Sequence, residues 1–455
     1  SSRIDLKKLT YKKRSNSLKK YISSYNDSVE LIDHKIELLL SKNKLLIKGN
    51  GNFLINEKID KINYEVKSND DKYNFKSQIE LNNIPLQIKL LNYTKKESKN
   101  ALLNIEGSYK KNQNIYFKNI LLKEFKNSFK VNGLSLSQNY KVNSIEEIYL
   151  DFLNDNEKKN KVLFKRNKKN YELSGKIFDG TNLVNQILES DSEGNVFDFL
   201  NDFNSVVKIS LNKIFIDDIN YLNNLNGNVK FNKSSLKNLD LKANFSDNKK
   251  LTFTIKTDQN NQKITTLFSE YAKPLVKKYK FIKGFEEGYL DFYSVKKNNI
   301  SSSNLKINDF KLNELPALTK ILTLASLQGI ADLLTGEGIR FNEFEMKFRN
   351  EKKLMTIDEI YAIGPAISIM MDGYVQKDEL ISLRGTLVPA TTLNKIIGSL
   401  PLLGDILVGK KTGEGVFGVS FKIKGPPKKT KTTVNPIKTL TPRFITRTLE
   451  KIKKN

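Results

Sequence analysis

Ile62-Asn63-Tyr64-Glu65-Val66-Lys67 places an apolar side chain at every second position and a polar one between. Successive side chains of a strand point to opposite faces, so this hexapeptide reads as a β-strand with one dry and one wet face. The alternation returns in Leu86, Ile88 and Leu90 around Gln87 and Lys89, and in Leu103, Ile105 and Tyr109 across Gly107. Between such runs, from about Leu45 to Leu136, stand clusters of turn-forming residues such as Ser68-Asn69-Asp70-Asp71 and Lys95-Lys96-Glu97-Ser98. With so few residues between runs, an antiparallel meander is the economical topology.

Downstream, a strand ending near Phe178 is followed by Asp179-Gly180-Thr181, a helix cap. Behind it Leu183, Val184, Ile187 and Leu188 lie at helical spacing, which predicts one amphipathic helix near 180–190. From Val206 the strand text resumes with Val207, Ile209 and Leu211, then Leu225 and Val229, Leu239 and Leu241, and Leu251, Phe253 and Ile255. A second helix is expected over 264–279, broken at Pro274, ahead of the strand Gly288 to Tyr293. No fixed repeat period is present, which excludes the common solenoids and propellers.

The last third has fewer Lys and Asn and more Gly, Ala and Leu. Leu315 to Leu334 is apolar nearly all round, with Leu318, Ile321, Leu322, Leu324 and Ile330 among its large residues. Lys320 and Asp332 make spanning a bilayer costly, leaving a helix at a membrane interface or one buried against the end of a sheet. From Gly425 a tail rich in Pro and Lys reads as extended, closing on a short basic helix near 444–454. The expected organisation is thus a Lys-rich segment over 1–44, a repetitive β region over 45–311, a distinct region over 312–425 and a tail over 426–455.

Composition excludes much chemistry. The chain has no Cys and one His, His34, so thiolate metal sites, Cys nucleophiles and most His-centred sites are absent, and no cofactor is implied. Phosphate loops, nucleophile elbows, zinc-protease motifs and calcium loops are missing, and Gly409 to Gly418 lacks the order a phosphate loop requires. The pairs Glu286-Glu287 and Asp217-Asp218 read as turn residues, so a non-enzyme is expected. The net charge of +27 invites a nucleic-acid reading, but Lys is scattered through the strands and travels with Asn and Ile, as codon bias in an AT-rich genome produces. A solvated cationic strand face, with some attraction to anionic lipid, is the expectation, and nucleic acid is not.

The strands carry the positive signal. A sheet with one continuous apolar face must bury that face, and few helices are available to cover it. Roughly 20 strands at about 4.8 Å each would make a sheet on the order of 100 Å wide. The expected fold is therefore mainly β: an elongated, curled antiparallel sheet, a half-pipe or groove capped by short helices. Val207, Ile209, Leu211, Val229, Leu241, Phe253 and Ile255 are its candidate lipid contacts, and Leu318, Ile321, Leu322, Leu324 and Ile330 its groove-end or membrane-interface candidates.

From about Leu312 to Thr446 the chain resembles the C-terminal region of the AsmA-like family, which includes the YhdP and TamB relatives. The resemblance lies in Leu322 to Phe341, Ala362-Ile363-Gly364-Pro365-Ala366, Leu383 to Ala390, Leu400 to Leu407, Gly413 to Val419 and Val434-Asn435-Pro436, taken in order. It implies a periplasmic protein of a Gram-negative cell, anchored to the inner membrane by an N-terminal helix missing from this chain. Its implied partners are phospholipids and the inner or outer membrane, with phospholipid moving along the groove toward the outer membrane. A non-enzymatic structural or assembly factor of the same envelope is the alternative.

Overall fold

The computed structural model describes residues 2–12, 16–22, 25–42, 44–183, 203–276, 283–314, 316–324, 337–389, 418–427 and 429–437. The chain divides into two units, Ser1–Ser246 and Asp247–Asn455. The compositional boundaries expected near 44 and 311 therefore do not part the fold. Residues 1–44 carry two full strands of the first sheet, because alternation in Ile4, Leu6 and in Ile36, Leu38 serves the same pleat as the rest.

The first unit begins with β1 (Ser2–Lys12), β2 (Ser28–Ser41), β3 (Lys44–Ile55), β4 (Lys58–Asn69) and β5 (Lys72–Glu80). After the short β6 (Leu86–Ile88) and β7 (Tyr93–Lys95) come β8 (Ala101–Lys110), β9 (Ile115–Glu124), β10 (Asn127–Leu136), β11 (Val142–Ser144) and β12 (Glu147–Leu153). It ends with β13 (Lys159–Asn167), β14 (Asn170–Asp179), β15 (Val206–Phe215), β16 (Tyr221–Asn232) and β17 (Ser235–Asn244). Neighbours in sequence pair antiparallel in most of the unit, β5 joining β8 across the excursion that holds β6 and β7, and β10 pairing with both β11 and β12.

One junction departs from the expected all-antiparallel meander: β14 and β15 run parallel, Tyr171 opposite Val207 and Leu173 opposite Ile209. A parallel pair needs a crossover of a dozen or more residues, which the stretch from Gly180 to Ser205 provides. The helix expected there does begin, at Thr181, where the Asp179 carboxylate accepts from the Thr181 amide at 3.1 Å and its hydroxyl at 2.5 Å. Val184, Ile187 and Leu188 lie outside the described residues.

The second unit holds β18 (Lys250–Thr257), β19 (Lys263–Ser269), β20 (Lys283–Lys297), β21 (Ile300–Glu314) and β22 (Ile339–Glu351). It continues with β23 (Leu354–Ile363), β24 (Ile367–Gln376), β25 (Leu380–Pro389), β26 (Gly418–Gly425) and β27 (Lys431–Ile437), all antiparallel in order. The first part of the helix expected over 264–279, up to Ser269, is strand, since Ile264-Thr265-Thr266-Leu267-Phe268 is β-branched and aromatic. Only Lys273–Val276 is helical, with Pro274 in the first turn where its missing N–H costs nothing. The expected extended tail contributes β27, and the basic helix near 444–454 lies outside the described residues.

The fold is mainly β, 71% strand against 6% helix, as expected. In the first unit part of the apolar face is sheltered by chain laid across it.

Register gives the wet face of the first unit a pattern of its own. Arg3, Glu37, Lys48, Glu65, Lys76 and Glu106 stand directly opposite one another on β1, β2, β3, β4, β5 and β8, alternating in sign at every step. Lys48 and Glu65 approach to 3.8 Å, and Lys76 and Glu106 to 3.6 Å. The row passes through Asn119 and Asn132, amide to amide at 2.8 Å, and from Asn132 to Glu147 at 3.0 Å. It continues as Lys165, Glu172 and Lys208. Opposite charges facing across strands stabilise each pairing by some tenths of a kcal/mol. A one-residue slip would set them against the apolar row.

The Lys118 hydrogen bond, aided by Lys76, holds the Glu106 carboxyl below its ordinary value of 4.5, and the Lys67 hydrogen bond does the same for Glu65. A carboxyl lowered by folding adds stability above its unfolded value and loses it as pH falls through the folded one. The thermal midpoint is accordingly expected to drop below about pH 4.5, less steeply in Lys118→Gln, as differential scanning fluorimetry across pH would record. Gly227 sits at φ +156°, where a Cβ would run into the Asp240 carbonyl. Gly227→Ala should cost about 2 kcal/mol or more in urea unfolding.

Candidate functional site

The dry face of the first unit consists of lateral rows. One runs Ile62, Ile79, Leu103, Leu122, Phe129, Leu150, Val162 over β4 to β13. The excursion from Leu81 to Asn100 lies over part of it, putting Ile84 and Tyr93 into a common core with Leu122, Phe129 and Phe152. Tyr93 meets the Phe129 ring at 4.5 Å and the Phe152 ring at 5.7 Å.

Polar fastenings hold this cover down. The Asp60 carboxylate accepts from the amides of Asn82 at 3.0 Å, Asn83 at 3.1 Å and Ile84 at 3.0 Å. The wholly buried Lys95 ammonium donates to the carbonyls of Asn82 at 2.8 Å and Ile84 at 2.9 Å. Burial pulls the Lys95 pKa down, opposed by the charge of Asp60. The Tyr93 hydroxyl donates to Glu124 at 2.6 Å, and burial together with that carboxylate pushes the phenol's pKa up. Leu86 and Ile88 belong to this cover and not to the main sheet, since β6 pairs only with β7.

The next row is less buried than this one. Ile105, Ile120, Val131, Ile148, Phe164, Leu173 and Ile209 follow one another across β8 to β15, and Leu241 on β17 closes the row beyond Gly227. All are half-buried. At about 4.8 Å per strand, the eight steps from β8 to β17 make a strip about 38 Å long. The second unit repeats the arrangement in Phe253, Leu267, Phe292, Leu305 and Met346, also half-buried, on β18 to β22.

This sorts the expected lipid contacts. Ile209, Leu241 and Phe253 lie on the half-open rows. Val207, Leu211, Val229 and Ile255 share their faces but are buried, between 2% and 8% exposed, and so are core. The Val207 row is sheltered by Phe203, whose ring packs at 5.2 Å on Tyr171 and 5.4 Å on Phe231. At the other proposed position, the helix Pro316–Leu324 sends Leu318, Ile321 and Leu322 into a core with Phe310, Ile339 and Phe341. These three are thus core residues of a helix packed on the sheet, one of the two placements expected for this stretch; Leu324 is 48% exposed, and Ile330 lies outside the described residues.

The remaining sequence candidates have structural places. His34 is buried beneath Gly51, its Nε2 at 2.8 Å from the Asn52 carbonyl, in a bulge of β2. Glu287 pairs with Arg340 at 2.9 Å, and Asp217 accepts from the amides of its own turn. A polar depression of about 990 Å³ is lined by the alternating charges of the wet face, among them Glu37, Lys48, Glu65 and Lys76. Ile105, the first residue of the apolar strip described above, also lines it. Gly364 and Pro365 make the turn between β23 and β24, the Gly364 amide donating to the Ile367 carbonyl at 2.8 Å.

Leu322→Ala should cost about 2–5 kcal/mol, because no solvent reaches the side chain and a cavity would remain. Leu324→Ala, one turn-edge away and exposed, should stay within about 0.5 kcal/mol. Paired urea titrations read both.

No family model, no curated protein and no solved structure matches this chain.

Proposed function

We propose that this protein binds phospholipid by its acyl chains along the half-buried apolar rows and serves lipid movement in a Gram-negative envelope. The observation that carries the reading is the half-buried strip from Ile105 to Leu241, continuous over successive strands and flanked by rows that chain segments do cover. Contiguous apolar surface of that extent marks an interaction site in a soluble-facing protein. Acyl chains suit it because they are long, narrow and indifferent to side-chain detail, whereas a folded partner would demand shaped pockets. The AsmA-like resemblance supports the same reading and adds the periplasmic, inner-membrane-anchored setting.

Lipid extraction and mass spectrometry on the chain purified from a bacterial host, beside an equally basic control protein, is the direct test. Several phospholipids per chain are expected. Recovery no higher than the control would turn the reading to a structural tether. Ile209→Asp and Leu241→Asp should each reduce recovered lipid at least about fivefold with the β-sheet circular dichroism retained, since a charge on the strip repels chains without opening the covered core.

A further inference from the structure

Register brings the β2–β3, β4–β5 and β8–β9 turns to one corner of the first unit, and there the division into wet and dry faces fails. Glu37 and Lys48 face each other on the wet side, yet the next wet pair toward the turn is Leu39 and Leu46. The dry side of the same hairpin carries Leu38 opposite Ile47 and Leu40 opposite Leu45. The β2–β3 tip is therefore apolar on both faces, with Leu40 82% exposed. An apolar tip turned to water in this way marks an interaction surface.

The dry row through Leu40 continues level across the strands as Leu45, Ser68, Tyr73 and Tyr109, and both tyrosines are exposed. One residue nearer the rim stand Lys44, Lys72 and Lys110, with Lys42 and Lys111 in the turns, all exposed. Against these five lysines the three turns hold two acids, Asp70 and Asp71. Leucine, tyrosine and long-stemmed lysine together suit the boundary of a bilayer, where each side chain has an apolar body to bury and tyrosine and lysine keep a polar end wet. Lysine is depleted at protein interfaces and favoured near anionic lipid, which decides between the two kinds of partner. Inward from the rim the apolar surface continues. Leu38, Ile47, Val66 and Phe75 make the next dry row, Phe75 lying where a Cβ on Gly107 would strike its ring and meeting Phe117 edge-on at 5.8 Å. Along β8 the dry residues run Tyr109, Gly107, Ile105, so about 14 Å separates the rim from the first residue of the half-buried strip.

We infer that this corner seats the protein on the surface of an anionic phospholipid bilayer, the β2–β3 tip entering the headgroup layer and the dry rows leading acyl chains to the strip at Ile105. The inference rests on the lipid-binding reading above and names the membrane contact that feeds it. Lysines at the rim meet lipid phosphates through charge-assisted hydrogen bonds, while Leu39 and Leu40 bury their side chains beneath them.

The test is flotation of the full chain with vesicles of phosphatidylethanolamine and phosphatidylglycerol, beside capture of a monomeric fluorescent lysophospholipid from solution, which needs no membrane. Wild type should float, and Leu39→Ser with Leu40→Ser should weaken the partition at least about tenfold. Lys42→Gln, Lys44→Gln, Lys110→Gln and Lys111→Gln combined should weaken it about as much and flatten its fall with salt. Phe125→Ser removes a ring 94% exposed in the β9–β10 turn on the opposite rim and should leave flotation unchanged. Capture of the monomer should be equal in all four proteins, since none of these side chains lies on the strip. A wild type that captures monomer without floating, or a serine pair or glutamine set that floats like wild type, overturns the docking corner and leaves lipid binding standing. So does a loss in Phe125→Ser equal to that in the serine pair. Absence of both flotation and capture overturns both readings. A wild-type dimer in light scattering that the serine pair dissolves, with no flotation, assigns the corner to a second copy of the chain and overturns the bilayer.

Discussion

Backbone pairing between neighbouring strands, in fixed register, is the constraint from which everything else in this protein follows. Each strand's dry residues become useful only because they meet the dry residues of the next, as Ile120 meets Val131 and Val131 meets Ile148. The period is two, so a slip of one residue would put Glu147 where Ile148 stands. A flat apolar row tolerates sliding rather well on its own. The alternating row from Arg3 to Glu106 does not, since its signs match in one register only.

The alternation in 62–67 and 206–211 was enough to read strands, faces and the apolar surface from the sequence, because the two-residue period is a local property. Coverage was not readable in the same way. Val207, Ile209 and Leu211 have the same spacing and the same chemistry, yet only Ile209 is half-open; beside Val207 the Phe203 ring packs on Tyr171, its cross-strand partner. Lys95 shows the converse: it stands in a Lys-rich cluster typical of exposed turns and is wholly buried, since the carbonyls of Asn82 and Ile84 await its ammonium. The parallel junction of β14 and β15 was equally hidden, because a strand's own residues do not record the direction of its neighbour.

Polar groups on the dry face fall into two kinds. Asp60 on β4 and Lys95 of the Leu81–Asn100 cover bond to backbone donors and acceptors. Their work is to hold the excursion onto the sheet. The hydroxyls Ser294 and Ser303 satisfy each other beside a half-open row, leaving a polar margin where the apolar surface ends.

Pairing of each strand chiefly with its sequence neighbours has a consequence for how such a sheet gains or loses length. Free energy in a nearest-neighbour array is close to a sum of strand and junction contributions, as in linear repeat proteins. Insertion of one antiparallel hairpin, two strands at a time, keeps every downstream face on its own side and leaves existing junctions intact. Insertion of a single strand would reverse the direction of all that follow. The parallel β14–β15 step, with its crossover, is the one place in the first unit where an odd count is absorbed, and so acts as the parity joint of that sheet.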